Sequence, residues 1–597
     1  MASAFIFIHF FFLIFGVESF STGSGPTIVI VGAGVGGIST ASRIASSSDL
    51  PVNTKLIILE KNSAENVGGR CGSFFRDISN LGRFRHERGP SLLLLRDVYE
   101  DLFRDCDKDP NDFGLEIVQC TPAYQVVFED GDSINLGFKE ADPDSSTLKN
   151  ESQEKMNEYE ENGALKWDEY MTATEAFLDC GLPNFIEEKL DLSSFPSFLT
   201  EAMKDNFKAW PLLPHSKVLD ATFSSTKMKA LASFQDLYVG LEPFENKSNF
   251  AGGVVKKTAP AVFGLLSALE LHPTNKKGGV FAPIGGFQAV SSAFEKLARS
   301  LGVDIQYDIT VTRVTDEGVW YEAKDSDDEQ KFLPADLVIV NADLPFATKT
   351  LMPDTSLAGP KAPKYDWDDT FDYSSGVIAF HWALDKEYPQ LKTHNVFMIG
   401  ENEEKAEKSW AAVRFNDPSV TPFDNCDFPF NFYVHRATAV DKSAAPDNCD
   451  SIMVLVPCCT LKRDERLAAL HRNETIKGYE AQFDDAFVSK VRSCVLNRLS
   501  RLEGIDDISS HIVDEIVDTP ASYGNNYNLA AGTPFALSHG FGQLSLTRPA
   551  HESKKENILF VGASTRPGNG VPLVLLGAKQ VAAKAIKRIC KKVKQFS

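Results

Sequence analysis

Residues 27–60 run TIVIVGAGVGGISTASRIASSSDLPVNTKLIILE, and this stretch decides the fold. Thr27–Val31 is a short, uninterrupted, β-branched run, the pattern of a strand buried on both faces of a parallel sheet. Ile38–Ala45 reads as a helix and Lys55–Glu60 as a second buried strand, which makes a βαβ unit. Between strand and helix stands Gly32-Ala-Gly34-Val-Gly36-Gly37. The first glycine allows the tight turn, the second lets the backbone approach a pyrophosphate, and the last lets the helix pack on the strand. The helix N-terminus offers unpaired N–H groups and partial positive charge to phosphates. Glu60 ends the second strand, 28 residues after Gly32, where a carboxylate accepts hydrogen bonds from ribose hydroxyls. Lys61 beside it is counted with the cofactor-binding residues.

Working outward, the chain has 597 residues, too many for one core, so at least two structural regions are expected. Hydrophobic content of 43% and charged content of 24% are those of a globular protein. A net charge of −21 argues against a nucleic-acid partner, because no basic surplus exists to neutralise phosphates. The ten cysteines form no CxxC or Cys/His cluster of metal spacing, so no metal site is expected. Cys458–Cys459 lies in the apolar run IMVLVPCC and reads as buried packing.

The βαβ unit alone does not separate NAD from FAD. Gly68-Gly69-Arg70 follows Glu60 closely, and the run through LIILEKNSAENVGGRCGS resembles the extended dinucleotide motif of the amine-oxidase and carotenoid-desaturase flavoproteins. In that family the GGR arginine sits by the flavin and pyrophosphate, a place that suits a permanently charged fork of donors. Residues 84–95 (FRHERGPSLLLL), containing Gly89 and Pro90, are similar to the "FDxGPSLLLLP" stretch of fungal-type phytoene desaturases. Residues 559–572 (LFVGASTRPGNGVP) look like their "FVGASTHPGTGVP" signature. Between them FAPIGGF (281–287), VNAD (340–343), HNVF (394–397), VDKSAAP (440–446) and LSHGFG (537–542) with Arg548-Pro549 also match. Two departures stand out: Arg566 replaces the family histidine, and the aspartate of "FDxGPS" is replaced near His86–Glu87.

The resemblance covers residues 27–590 and implies an α/β fold: a Rossmann-like FAD-binding domain of the amine-oxidase type, an inserted α+β substrate domain and a helical lipid-facing region. The expected FAD domain is discontinuous over 23–130, 278–350 and 520–597, and the substrate region takes 131–277 and 351–519. The cofactor-binding residues implied are Gly32, Gly34, Gly36, Gly37, Glu60, Lys61, Gly68, Gly69, Arg70, Gly89, Pro90, Val314, Gly562, Gly570, Val571 and Pro572. The activity implied is FAD-dependent desaturation of phytoene or a later carotene, with a lipophilic C40 substrate, hydride transfer to flavin and oxygen or a quinone as acceptor. A flavoprotein carotenoid isomerase or saturase and a non-catalytic prenyl-lipid escort of the same fold remain open. Glu201, Lys204 and Asp205 lie where the resembled family carries acid/base candidates, but the local match is too poor to carry roles across; His539, in the matched LSHGFG run, reads more readily as structural, and none of the four is assigned a catalytic role.

Four further segments carry expectations. Ala4–Val17 is nearly pure apolar sequence, shorter than the roughly 20 residues of a membrane span, and reads as a signal-peptide core with a cut before Phe20 or as an uncleaved anchor. Such a leader points to a membrane-associated protein on the secretory route, in the ER membrane or a plastid reached through it. Asn150, Asn246 and Asn473 would then be formal glycosylation acceptors. Residues 137–169 read as an acidic, partly disordered surface insertion. Helical patterns rich in Phe and Leu over Leu182–Leu271 fit either ordinary core or the wall of an apolar pocket. The tail Lys579–Lys594 holds seven Lys or Arg with Ile586, Ile589 and Val593 interleaved, which fits either a membrane-surface helix or the solvated end of the last helix.

Overall fold

The computed structural model describes residues 25–139, 145–181, 196, 213–244, 259–271, 279–324, 330–352, 367–410, 423–461, 481–540, 543–544 and 547–596. The segment Ala4–Val17 with Phe20, the residues Glu201, Lys204 and Asp205, and the acceptors Asn246 and Asn473 lie outside them.

The opening unit folds as its pattern dictates, with strands Thr27–Val31 and Lys55–Leu59 around the helix Val35–Ala45. They belong to a five-stranded sheet of order Ile558–Phe560, Leu337–Val340, Thr27–Val31, Lys55–Leu59, Asp304–Gln306. Every neighbouring pair is parallel. Alternate residues explain why TIVIV is apolar throughout. Ile28 and Ile30 pack with Ile38, Phe294, Leu575 and Val581 of the helices on one face. Val29 and Val31 pack on the other face with Val311, Val314 and Val319. These three come from an antiparallel sheet of Ile309–Val314, Gly318–Ala323 and Lys331–Pro334. The chain winds outward from the first strand in both directions, so a crevice opens at the carboxyl ends of Thr27–Val31 and Leu337–Val340, where open α/β sheets bind ligands.

The second region is a seven-stranded sheet of order Ile512–Asp518, Gly376–Leu384, Asp450–Cys458, Phe432–Arg436, His394–Phe397, Tyr124–Val127, Ser133–Leu136. Tyr124–Val127 therefore belongs to this sheet, and the boundary expected at 130 falls before residue 124. Helix Asp485–Leu499 covers one face, burying Val491 and Val495 in a cluster with Phe380 and Trp382. Helices Gly163–Gly181, His215–Thr222 and Thr226–Leu231 cover the other, around Tyr124, Leu219 and Met228. Cys458 and Cys459 are buried, as their apolar run implies.

One expectation changes. Within 137–169, read as a partly disordered insertion, the described residues from 145 onward are ordered, because Ser145–Tyr159 and Gly163–Gly181 form a helical pair. Met156, Trp167, Tyr170 and Met171 recur at helical spacing and bury against Leu219 and Phe223, while Glu158, Glu161, Asp168 and Glu169 face solvent. Asn150 is wound into the first of these helices, and the hydroxyl of its triplet partner Ser152 is buried, donating to the Asn135 carbonyl at 2.7 Å. The structure also places the basic tail. It is the end of helix Val571–Phe596, whose Ala578, Val581, Ala585 and Ile589 are already packed into the nucleotide-domain core. Lys579 and Lys592 pair with Asp105 and Asp336, each at 2.8 Å. Among the described residues no helix is long and apolar enough to cross a membrane.

Candidate active site

Three loops at the carboxyl edge of the parallel sheet converge on the crevice: 32–37, 341–343 and 562–572. Asn341 ties two of them, donating from Nδ2 to the Gly32 carbonyl at 3.1 Å. A Cβ at Gly34 would stand 2.9 Å from that Nδ2, and one at Gly36 would stand 2.6 Å from Oδ1 and 2.9 Å from Val574 Cγ1. Only hydrogen fits at these positions. The GGR segment is held beside them, the Gly68 N–H donating to the Ala33 carbonyl at 3.0 Å. Gly68 has φ +91°, and a Cβ there would lie 1.9 Å from Ser291 Oγ. Gly89 abuts the same turn, with its Cβ position 2.0 Å from the Arg70 carbonyl oxygen.

A cavity of about 460 Å³ runs through this junction. Gly32, Gly34, Gly36, Glu60, Lys61, Gly68, Gly69, Arg70, Gly89, Pro90, Gly562, Gly570, Val571 and Pro572 all line it. Two expected site residues do not. Val314 is wholly buried between the two sheets, and its strand reaches the cavity through Ile309, Thr310 and Val311 instead. Gly37 stands behind the loop, where a Cβ would lie 2.3 Å from the Gly32 carbonyl oxygen, so it serves the turn rather than the cavity.

The charged groups gather at the sheet end of the cavity. Glu60 accepts the Ala33 N–H at 2.7 Å and the Asn62 N–H at 2.9 Å, and burial raises its carboxyl above the ordinary range. Lys61 Nζ donates to Asn528 Oδ1 at 2.9 Å. Arg70 donates to the Pro534 carbonyl at 2.5 Å, and burial lowers its pKa while Asp343 and Tyr527 oppose the shift. Asp343 in turn is raised by burial and relieved by the Ala530 N–H, by Arg70 and by the Ser564 hydroxyl, 3.0 Å away.

This end fits a dinucleotide on three observations. The helix Val35–Ala45 begins at the cavity with no side-chain cap and no acidic residue in its first turn. The helix Val571–Phe596 also carries no acidic residue in its first turn. Both leave N-terminal N–H groups for an outside anion. At Gly570, φ +93°, nothing stands within 4 Å of a Cβ, so the backbone faces open space. The helix Gly286–Ser300 is the contrast. Glu87 Oε2 accepts the Phe287 N–H at 3.0 Å and Asp441 Oδ2 accepts the Gly285 N–H at 2.7 Å. Arg85 bridges the two carboxylates at 3.0 and 2.8 Å. The matched segments around 84–91, 281–287 and 440–446 therefore meet in a structural brace, with Glu87 serving as helix anchor.

Beyond Arg70 the cavity wall becomes apolar: Leu94 of the 84–95 segment and Val262, Phe263, Leu266 and Leu269 of the helical region face Val377, Leu455 and Pro457 of the second sheet. The Leu- and Phe-rich helical pattern thus furnishes both core and pocket wall. Two hydroxyls interrupt the wall. Ser91 and Tyr433 are hydrogen-bonded at 2.8 Å, and Tyr433 Oη is 2.7 Å from His394 Nδ1. Sequence reasoning quoted Ser91 and His394 inside matched segments but gave them no role, and it passed over Tyr433; strand pairing across the sheet brings them together. His539 lines the cavity with Nε2 accepting the Asn569 N–H at 3.3 Å, and burial keeps it neutral.

Comparison with known proteins agrees with this architecture. The chain is 29% identical over 573 residues to the phytoene desaturase of Fusarium fujikuroi, covering 94% of this chain and 89% of that one. The phytoene desaturase of Neurospora crassa is 29% identical, covering 93% and 83%. A 4,4'-diapophytoene desaturase of Staphylococcus aureus is 27% identical, covering 94% and 99%. Among solved structures, cyclohexylamine oxidase from Brevibacterium oxydans aligns with TM-score 0.52 at 12% identity, over 96% of this chain and all of that one (100%). Residues 35–380, more than half of the chain, match the flavin containing amine oxidoreductase family. The parallel sheet, the glycine junction and two helix N-termini with no acidic residue in their first turns fit such a match, so the chain belongs to the flavin containing amine oxidoreductases and its cofactor is FAD.

Proposed function

We propose that the protein is an FAD-dependent carotenoid desaturase, introducing conjugated double bonds into phytoene or a later carotene intermediate. The observation that carries this reading is the continuity of one cavity from the glycine junction at Arg70 to a wall of leucine, valine and phenylalanine. The desaturase relatives, matched over nearly their whole length in Staphylococcus aureus and Fusarium fujikuroi, support it. Gly32, Gly34, Gly36, Gly68 and Gly89 would let the cofactor lie against the backbone. Glu60 would take the ribose hydroxyls, and the helix N-termini at 35 and 571 the phosphates. When bound, FAD supplies the oxidant that accepts a hydride.

The rest falls to side chains. A carotene has no polar handle, so the wall must hold it by burial, at roughly 25 cal/mol per Å² of apolar surface. The same wall excludes water from the reacting bond. A substrate dissolved in lipid calls for a membrane surface, and oxygen or a quinone would return the enzyme to its oxidised form. A secretory route is part of the proposal: the apolar N-terminal segment supports it, and so does the Cys426–Cys494 disulfide, since disulfides persist in oxidising compartments.

Purified protein should be yellow from bound flavin and should convert phytoene in liposomes to products absorbing at longer wavelength. A flavin-free protein would leave the lipid-escort reading standing. A product with an unchanged number of conjugated bonds would overturn desaturation in favour of isomerisation.

A further inference from the structure

Desaturation takes a hydride from one carbon and a proton from its neighbour, and the second needs an acceptor inside an apolar wall. Among the described residues, the carboxylates that line the cavity are otherwise engaged: Glu60 by two main-chain N–H groups, and Asp343 by Ser564, Ala530 and the field of Arg70. His539 gives its acceptor nitrogen to Asn569. We infer that Tyr433 is the proton acceptor of the reaction and that His394, behind it, is the base on which the proton comes to rest. This rests on the desaturase reading above.

The hydrogen-bond chain runs in one direction. Burial holds His394 well below the usual imidazole range, so the ring is neutral. Burial pushes the Cys120 thiol up to about 12, so it keeps its proton. A neutral imidazole has one acceptor nitrogen. Nδ1 takes the Tyr433 O–H at 2.7 Å, leaving the Nε2 hydrogen toward Cys120 Sγ at 3.7 Å. The Ser91 O–H then donates to Tyr433 Oη at 2.8 Å. Ser91 and Tyr433 both line the cavity, and His394 is fully buried. Ser91 follows Gly89-Pro90, which abut Arg70, so the hydroxyl pair stands at the step from the nucleotide end to the apolar wall.

The step balances. One substrate C–H bond breaks and leaves with both electrons as hydride to the oxidised flavin. The adjacent C–H bond then breaks heterolytically, its electron pair becomes the new π bond, and its proton goes to Tyr433 Oη. The tyrosine's own proton passes to His394 Nδ1, which becomes imidazolium. A proton beside a carbocation is so acidic that a weak base suffices. The same buried site that weakens His394 disfavours the imidazolium, so the proton returns through the hydroxyls to water when the product leaves.

The test uses flavin-loaded full-length protein with phytoene in phosphatidylcholine vesicles, mixed without oxygen, following the loss of flavin absorbance. Tyr433→Phe keeps the ring and removes the hydroxyl. His394→Gln keeps an acceptor for that hydroxyl but cannot take its proton. Both should slow bleaching by about 10²-fold or more, the usual worth of general acid–base catalysis. Flavin content and retention of labelled phytoene should stay at wild-type levels. Wild-type bleaching rates in Tyr433→Phe, or rescue by His394→Gln, would overturn the assignment. Loss of flavin or of phytoene retention in Tyr433→Phe would make the residue structural and overturn it as well. If the unmodified protein holds flavin and phytoene yet never bleaches, the desaturase reading falls and takes this inference with it.

Discussion

Arg548 is wholly buried, and its guanidinium donates to four main-chain carbonyls: Ala563 at 2.7 Å, Leu537 and Ser538 at 2.9 Å, and Thr565 at 3.1 Å. Burial lowers its pKa to about 9, so it remains charged at neutral pH. The carbonyls belong to two loops beside the cofactor end of the cavity, which makes this one side chain the clamp that sets the 562–572 loop. Arg548→Met should cost roughly 3–5 kcal/mol, because it leaves buried carbonyls without donors. Arg548→Lys should recover only part, since a point charge cannot span the fork. Thermal melts and the flavin-to-protein ratio check both, and a methionine variant with wild-type melting and full flavin would refute the clamp. Sequence reasoning saw Arg548-Pro549 as a match and could say no more. Its partners are carbonyls, which every residue supplies, so no side-chain pattern announces them. Gly34, Gly36, Glu60 and Arg70 were legible for the opposite reason, because their chemistry is local to one turn and its flanking strands.

At the scale of elements the same contrast holds. The parallel strands were readable because two buried faces demand unbroken apolar runs such as TIVIV and LVIV. The helical pair of 145–181 was not, because acidic residues on its solvent face outnumber the few large apolar ones that set its period. The disulfide between Cys426 and Cys494 was equally hidden. Its partners are 68 residues apart, and pairing among ten cysteines cannot be read from spacing. It fastens the turn after Phe423 to helix Asp485–Leu499, which closes one face of the seven-stranded sheet. A bridge closing so long a loop restrains the unfolded chain, so Cys494→Ala should lower stability by about 2–4 kcal/mol. Reducing the unmodified protein should lower its denaturant midpoint as far as Cys494→Ala does, and equal midpoints with and without reductant would exclude a stabilising bridge.

Over the whole molecule, three further buried histidines join His394 and His539 in tying both halves of the fold to pH. His86 lies between the ribbon Ser73–Glu87 and the large sheet, His435 within that sheet, and His551 between the parallel sheet and the last helix. Burial lowers His86 to about 3, with His381 adding to the shift. It lowers His435 and His551 to about 4. In the unfolded chain each titrates near 6.5, so the unfolded state binds more protons everywhere between that pH and the folded values. The sign follows directly: their contribution to stability is complete above pH 6.5 and is lost progressively as pH falls toward 4. Carboxylates do not account for the upper part of this loss. The paired Asp132 and Glu160, held down to about 2, begin to cost stability only once the unfolded chain's carboxylates protonate, near pH 4. His551→Gln keeps an amide partner for Gln580 while removing the titration, so the variant's acid limb should be shallower by up to about 3 kcal/mol at pH 4. Its neutral-pH stability should fall by no more than a lost hydrogen bond, about 1 kcal/mol. Because the three imidazoles sit in different layers, the limb should register equally in flavin release and in far-ultraviolet melting. A stability flat from pH 6.5 to 4.5 would mean that these rings take up protons in the folded protein as they do in water.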